Sequence, residues 1–137
     1  MTTQKEIILL QNQIEILKKH AKSCVPNESC AILFGKILDN KYIVKDIFPA
    51  KNIENSSYSF TISPEELIKA YETAEKRSLD VIAIFHSHPD SSAYPSSTDK
   101  KFMETNPVPW IIYSNSNNEL NAYILESDIV SLRILTS

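Results

Sequence analysis

The sequence predicts an α+β fold, with helices packed on a central β-sheet. Short stretches rich in Ile, Val, Leu and Phe recur along the chain with strand-like spacing, and other segments carry apolar residues at helical spacing. No internal repeat, low-complexity tract or linker divides the 137 residues. An apolar fraction of 42% is enough for one packed core, so we expect a single domain over residues 1–137.

The N-terminal region carries apolar residues spaced by three and four, at Ile7, Leu10, Ile14, Leu17 and Ala21. This spacing predicts a helix that ends before Pro26 and places one apolar stripe against the sheet. A dimerising coiled coil is the alternative. The pattern lasts only about two heptads, where three or four are typical of coiled coils, so core packing is favoured.

A hairpin is predicted next, from residues 29–38 and 41–48, because Asp39-Asn40 between them tolerates the positive φ of a tight turn. Residues 58–62 alternate enough to predict a short strand. A second helix should start at Ser63, with Ser63 as N-cap and Glu66 closing a capping box. Its predicted buried face consists of Leu67, Ile68, Tyr71 and Ala74.

The second half of the chain is expected to alternate strands with one short helix. Residues 79–85 are almost wholly apolar, which predicts a strand buried on both faces. A helix is predicted over residues 97–104, stopped by Asn106-Pro107. Three further strands are predicted at residues 110–113, 120–125 and 129–135, although the last could also be a helix or an edge strand.

The composition of the chain limits the classes of binding partner and the cellular compartment that we expect. The formal net charge is −3 and no Lys/Arg block occurs, so neither nucleic acid nor an anionic membrane is an expected partner. No apolar run reaches the roughly 18 residues of a membrane span, and the N-terminus does not resemble a signal peptide. We therefore expect a cytoplasmic protein, with Cys24 and Cys30 as free thiols rather than a disulfide. Because Gly35 is the only glycine, turns should be built from Asn, Asp and Ser.

The strongest candidates for functional residues are His86 and His88, which directly follow the predicted buried strand. Side chains two residues apart on extended chain point to the same side, so both imidazoles can address one point in space. The loop that follows is long enough to bring the Asp99 carboxylate to that point. Two histidines and a carboxylate suit Zn²⁺ and leave a fourth position open, which is typical of catalytic sites.

The same residues allow other interpretations. Ser96-x-x-Asp99 is by itself an ordinary capping box, and these residues can cap a helix and still serve a site. The binuclear amidohydrolases also carry a His-x-His pair, but their barrel needs about 250 residues. Histidine-triad nucleotide hydrolases need a third alternating histidine, where this chain has Asp90.

The segment resembles, without insertion or gap, the JAMM motif of the MPN domain superfamily. That motif is His-x-His-Pro, six residues, then Ser-x-x-Asp, and here it spans residues 86–99. The resemblance extends to nearly the full chain, because Glu28 lies in the family's Pro-x-Glu-x-Cys context before a strand ending in Gly35. Ala31 and Ala83 depart from the family pattern, which often has glycine at these places.

This resemblance implies a curved, mixed central sheet with an architecture similar to that of the cytidine deaminases. It implies one Zn²⁺ per chain, held by His86, His88 and Asp99, with Glu28 as general base and Ser96 as hydrogen-bond donor to the oxyanion. Ser87 should point to the opposite face, and Cys30 should be a buried core thiol. His20 should face solvent.

The activity that the resemblance implies is hydrolysis of an isopeptide or peptide bond at the C-terminus of ubiquitin or a ubiquitin-like modifier. The expected partner is therefore a ubiquitin-like protein or its conjugates, with the modifier tail bound as an added strand beside the site. Two alternatives stay open: C-terminal processing of a sulfur-carrier protein, and a non-catalytic MPN scaffold. A homodimer through the helices is a further expectation.

Overall fold

The structure is a computed structural model that describes residues 4–136, so residues 1–3 and 137 of the predicted domain lie outside it. Helices and strands both occur, which confirms the α+β class. The elements in chain order are β1 (Glu6–Leu9), α1 (Gln11–Cys24), β2 (Cys30–Leu38), β3 (Lys41–Ala50), α2 (Pro64–Lys76), β4 (Asp80–His88), α3 (Ser97–Thr105), β5 (Trp110–Ser114), β6 (Glu119–Leu125) and β7 (Ile129–Thr136).

The strands form one mixed sheet that curves into a closed barrel in the order β1-β3-β2-β4-β5-β6-β7. The barrel closes because β1 pairs in parallel with both β3 and β7. The pair β4 and β5 is also parallel, and the remaining neighbours are antiparallel. Each of the seven described strands is therefore hydrogen-bonded on both sides.

The first strand corrects the predicted N-terminal helix, which we expected to include Ile7 and Leu10. Residues 6–9 are extended, and α1 begins only at Gln11. Ile7 and Leu9 alternate with partly buried neighbours, and both side chains are fully buried inside the barrel. The remainder of the stripe behaves as expected, because Ile14, Leu17 and Ala21 pack into the same core as the sheet.

The predicted hairpin is confirmed, since β2 and β3 pair across a turn in which Asp39 has a φ of 57°. Positive φ also occurs at Asn55, Ser78 and Asn118, so these turns use Asn, Asp and Ser as expected. Gly35 instead lies at a register shift within β2. A Cβ there would collide with the carbonyl oxygen of Ile43 on β3, so this position requires glycine.

The segment between β3 and α2 is not a strand, so the strand predicted over residues 58–62 is wrong. Its backbone is tied instead by the side chain of Asn52, as described below. Ser63 does cap α2, because its Oγ accepts a hydrogen bond from the Glu66 backbone N–H. The predicted capping box does not form, since the Glu66 carboxylate accepts from the backbone N–H of Lys51.

The buried face of α2 also differs from the prediction. Ala70 and Ala74 are buried against the sheet, whereas Ile68 and Tyr71 are each 60% exposed and Leu67 is 38% exposed. Ala70 and Ala74 pack in one cluster with Ile32 and Phe34 of β2, and their small side chains let the helix lie close to the sheet. The larger apolar side chains of the helix remain exposed.

The second half of the chain follows the predicted order. Strand β4 is longer than expected and continues through His88, while α3 and the last three strands occupy their predicted places. The final segment is a strand, and it is not at an edge because it pairs with β6 and β1. Within residues 4–136, no helix is long and apolar enough to cross a membrane.

Candidate metal centre

Strand β4 delivers the two histidines of the predicted site to one side of the barrel wall. Both are buried, His86 at 0% and His88 at 3% exposure. Their Nε2 atoms lie 3.1 Å apart. Ser87 between them points the other way, where its Oγ lies 2.8 Å from the Oγ of Ser29 and accepts the Ser29 backbone N–H. This confirms that Ser87 has a packing and hydrogen-bonding position rather than a place among the imidazoles.

The first turn of α3 brings Asp99 to the same point. Its Oδ2 lies 3.1 Å from His86 Nε2 and 3.0 Å from His88 Nε2. The same carboxylate accepts the Ser96 backbone N–H, while Ser96 Oγ accepts the Asp99 backbone N–H at 3.0 Å. Asp99 and Ser96 therefore form the expected capping box, and Asp99 faces both histidines as well.

Glu28 lies just before β2, beside the end of β4. It reaches the site because β2 and β4 are antiparallel and Cys30 pairs with His86. The Glu28 backbone is fixed on both sides, since its N–H donates to the Ser56 carbonyl and its carbonyl accepts from Asn52 Nδ2. Its side chain is 2% exposed, and Oε1 has no hydrogen-bond partner among the described residues.

These residues fit a zinc ion by the chemistry and spacing of their donor atoms. Ligand atoms about 2.1 Å from a tetrahedral zinc are separated by about 3.4 Å. The two Nε2 atoms and Asp99 Oδ2 are mutually separated by 3.0–3.1 Å. Glu28 also groups with His86 and His88, with ligand atoms within 4.8 Å of one another, and so offers an alternative third ligand. The distances from Asp99 Oδ2 to the two Nε2 atoms are shorter than this 4.8 Å limit, so they favour Asp99 as the third ligand. Glu28 then lies beside the metal position without binding the ion.

The surroundings shift the pKa values of these groups in different directions. Burial raises the pKa of Glu28 to about 8, with His88 opposing the rise and Asp99 adding to it. Burial acts the same way on Asp99, but hydrogen bonds from His86, His88 and the Ser96 backbone hold the pKa of that carboxyl below its usual range. Burial lowers the pKa of His86, whereas contacts with Asp99 and the Ser92 carbonyl outweigh burial and raise the pKa of His88.

The loop between β4 and α3 is anchored at two successive carbonyls. The Ser92 carbonyl oxygen lies 2.7 Å from His88 Nδ1, a contact in which Nδ1–H donates, so that Nε2 faces Asp99 and His86. The Ala93 carbonyl accepts hydrogen bonds from Asn121 Nδ2 and Tyr123 Oη on β6. These contacts fix the chain that leads to Ser96 and Asp99.

An apolar groove of about 200 Å³ adjoins the histidines. Phe60 and Trp110 line it, and both rings also contact the His86 imidazole. Leu67 and Tyr71 of α2 and Phe102 of α3 line the same groove. Leu67 and Tyr71 of α2 thus border the candidate site.

The remaining predictions concern the cysteines and the third histidine. Both cysteines are free, and Cys30 is fully buried as expected, whereas Cys24 is only partly buried. Burial raises the pKa of the Cys30 thiol to about 12, which keeps it unreactive. His20 does not simply face solvent, because it is half-buried and its Nε2 lies 2.9 Å from the Cys30 carbonyl oxygen.

Sequence reasoning missed Phe60, Trp110, Asn52 and Tyr123, all of which contact the site or hold its parts. Their roles depend on contacts between distant segments, and nothing in their local sequence signals such contacts. Asn52 alone carries a signal, because its place in the chain follows the order of the resembled family.

The fold and the donor set define a class of protein: a mixed α+β barrel with a buried two-histidine, two-carboxylate centre suited to metal-dependent hydrolysis. The family described as prokaryotic homologs of the JAB domain matches residues 10–126. The chain belongs to this family.

Individual relatives agree with this assignment. The chain is 42% identical over 110 residues to a desampylase of Pyrococcus furiosus, covering 80% of this chain and 74% of that protein. It is 32% identical over 124 residues to a probable TtuB-protein conjugate cleaving protease of Thermus thermophilus, covering 89% and 78%. It is 24% identical over 120 residues to a CysO-cysteine peptidase of Mycobacterium tuberculosis, covering 85% and 81%.

Among solved structures, the fold is similar to the solution structure of a protein from Desulfitobacterium hafniense. The TM-score is 0.88 at 26% sequence identity, covering 96% of this chain and 92% of that one. The similarity therefore extends over nearly the whole fold as well as the segment that carries the site.

Proposed function

We propose that this chain is a zinc-dependent peptidase of the JAMM type that hydrolyses isopeptide or peptide bonds at the C-terminus of a ubiquitin-like modifier. One observation carries the proposal. Three buried donor atoms, from His86, His88 and Asp99, converge within 3.0–3.1 Å beside the buried carboxylate of Glu28, whose Oε1 has no hydrogen-bond partner among residues 4–136. Hydrolytic metal centres combine such a three-ligand set with a nearby base.

In this proposal His86, His88 and Asp99 hold one zinc ion per chain. When bound, zinc acts as a Lewis acid toward the scissile carbonyl and lowers the pKa of water to about 7. The low pKa of Asp99 keeps its carboxylate charged at neutral pH, which suits a ligand. The His88 Nδ1–H bond to Ser92 orients that imidazole with Nε2 toward the site.

Glu28 is proposed to act as the general base. Its Oε1 is buried and unpaired within the described residues, so it can accept a proton from attacking water and donate it to the departing amine. Because burial raises its pKa to about 8, this carboxyl exchanges protons readily near neutral pH.

Ser96 is proposed to donate a hydrogen bond to the oxyanion. Its Oγ accepts the backbone N–H of Asp99, which uses a lone pair and leaves the hydroxyl hydrogen free to donate. The helix cap therefore fixes the oxygen in place for that donation. Ser96 is not a nucleophile here, because the site histidines face Asp99.

The names of the relatives support a modifier conjugate as substrate, since one is a conjugate cleaving protease and another a desampylase. The apolar groove beside His86 would accept an apolar side chain near the modifier C-terminus. Since every described strand is paired on both sides, an added strand would lie along the irregular segment that contains Phe60.

We propose that residues 1–137 act as one domain in the cytoplasm. The exposed Ile68 of α2, which does not line the apolar groove, supports the homodimer expected through the helices.

A second candidate function is C-terminal processing of a sulfur-carrier protein. The CysO-cysteine peptidase relative favours it, although at lower identity than the two conjugate-linked relatives. The same donor set would serve either substrate, because the peptide and isopeptide bonds undergo the same attack.

The test compares two substrates of the purified protein. One is a ubiquitin-like modifier joined through its C-terminus to a lysine side chain, and the other is the same modifier with a linear C-terminal extension. Mass spectrometry of the cut ends should show the free modifier C-terminus from the branched conjugate, with Glu28→Gln as the inactive control. Cleavage of the linear substrate alone would favour the second candidate, and inertness toward both would refute a hydrolytic role.

A further inference from the structure

The two histidines of the candidate centre are held in different ways. His88 Nδ1 lies 2.7 Å from the Ser92 carbonyl oxygen, the kind of hydrogen bond that usually orients a metal-binding imidazole. His86 Nδ1 is also buried, but it has no hydrogen-bond partner among residues 4–136. Something other than a hydrogen bond must therefore fix the orientation of the His86 ring.

Two aromatic rings contact His86 instead. Phe60 stacks on the imidazole with ring centroids 4.9 Å apart and an interplanar angle of 28°. Trp110 meets it edge to face, at 5.5 Å and 84°. Both arrangements are favourable for aromatic pairs, and together they restrict rotation of the imidazole about its side-chain bonds.

Each of these rings is itself fixed. Trp110 lies in β5, is 1% exposed, and pairs with Ile84 of β4. Phe60 lies outside any helix or strand, but the residues on either side of it are both tied to Asn52. Asn52 Nδ2 donates to the Ser59 carbonyl, and Asn52 Oδ1 accepts the Thr61 backbone N–H. The irregular segment thus presents the Phe60 ring at a defined position.

We propose that Phe60, supported by Trp110, is a positioning residue that orients the His86 imidazole toward the metal by ring packing in place of a hydrogen bond. Phe60 also lines the apolar groove, so one ring forms part of the substrate surface and holds a metal-binding side chain. The inference rests on the proposed function for the identity of the metal.

The test measures the zinc dissociation constant by competition with a chromogenic chelator in four variants. Removing a group that orients a metal ligand typically weakens metal affinity by about 10–100-fold. Phe60→Ala should weaken zinc binding by about tenfold or more, Phe60→Leu by less, and Phe60→Tyr, which keeps the ring, should remain within about twofold of the wild type. Phe60→Leu keeps the apolar bulk without the aromatic ring, so it replaces Phe60→Ala as the test variant if that variant does not fold.

Phe48→Ala is the matched control. Phe48 is also a half-buried phenylalanine, but its ring packs on Phe34, away from His86. It should leave zinc affinity unchanged. Equal zinc affinity in Phe60→Ala and wild type, or equal weakening by Phe48→Ala, would overturn the inference. Because zinc affinity is measured without substrate, the result is independent of whether the proposed cleavage is found.

Discussion

At the scale of single residues, two carboxylates face the same pair of histidines in opposite electrostatic situations. Hydrogen bonds hold the pKa of Asp99 below its usual range, whereas burial raises that of Glu28 to about 8. Environments that separate the pKa values of neighbouring carboxyls commonly separate their roles. Asp99 thus suits permanent charge beside a cation, and Glu28 suits proton transfer.

Burial of Glu28 should destabilise the metal-free protein, and this can be measured. Because its folded pKa of about 8 lies above the ordinary 4.5, its contribution to stability is present below pH 4.5 and is lost as the pH rises to about 8. In chelator-treated protein, Glu28→Gln should therefore raise Tm by roughly 5 °C or more at pH 8.5, with little effect at pH 4.5. Thermal unfolding of both proteins at the two pH values provides the measurement. A Tm gain that does not grow with pH would contradict the assigned environment.

At the scale of elements, the N-terminus of α3 gives Ser96 a structural task as helix cap, beside the chemical task that we propose for it. Ser63 offers a matched comparison at the N-terminus of α2, where its Oγ accepts the Glu66 N–H at 3.2 Å, against 3.0 Å for Ser96 and Asp99. Both serines therefore cap a helix, but only Ser96 also bonds to a residue of the candidate centre.

The two alanine substitutions should separate these tasks. Ser63→Ala and Ser96→Ala should each lower the free energy of unfolding by about 1 kcal/mol, the usual cost of a lost N-cap. Only Ser96→Ala should also lower kcat, by about a hundredfold or more, because an oxyanion donor is lost. Denaturant unfolding and steady-state kinetics measure the two effects. Equal kcat values for the two variants would leave Ser96 with a capping role alone.

The elements also show what the sequence can and cannot predict. Buried strands such as β4, and capped helices such as α3, have strong local patterns and were placed within a few residues. Strand β1 was missed because Ile7 and Leu10 fit a helical stripe as well as Ile7 and Leu9 fit an alternating strand. Its strand state depends on pairing with β3 and β7, which are distant in sequence.

The residues of the candidate site also differ in how far the local sequence could predict their positions. The spacing of His86 and His88 predicted their convergence, whereas Asp99 and Glu28 required the family resemblance. The apolar residues of α2 were expected to be buried, but Leu67 and Tyr71 border a groove instead. Helical periodicity identifies an apolar face without indicating whether the protein or a partner covers it.

At the scale of the whole molecule, barrel closure brings together residues that are far apart in the chain. Antiparallel pairing of β2 with β4 places Glu28 beside His86, which lies 58 residues later. Parallel pairing of β4 with β5 places Trp110 near the same histidine. The barrel therefore provides a rigid frame: β4 carries both histidines, while the first turn of α3 and the residues before β2 add the two carboxylates.

The central claim is that this frame holds one catalytic zinc ion through His86, His88 and Asp99, with Glu28 as a separate base. The most direct test is the zinc content of the purified wild type, Glu28→Gln and His88→Ala, measured beside their activities. Wild type and Glu28→Gln should each hold about one zinc per chain with only the wild type active, while His88→Ala should hold little. Wild-type protein with well under one zinc per chain and activity unaffected by a chelator would contradict the claim, as would Glu28→Gln of normal rate.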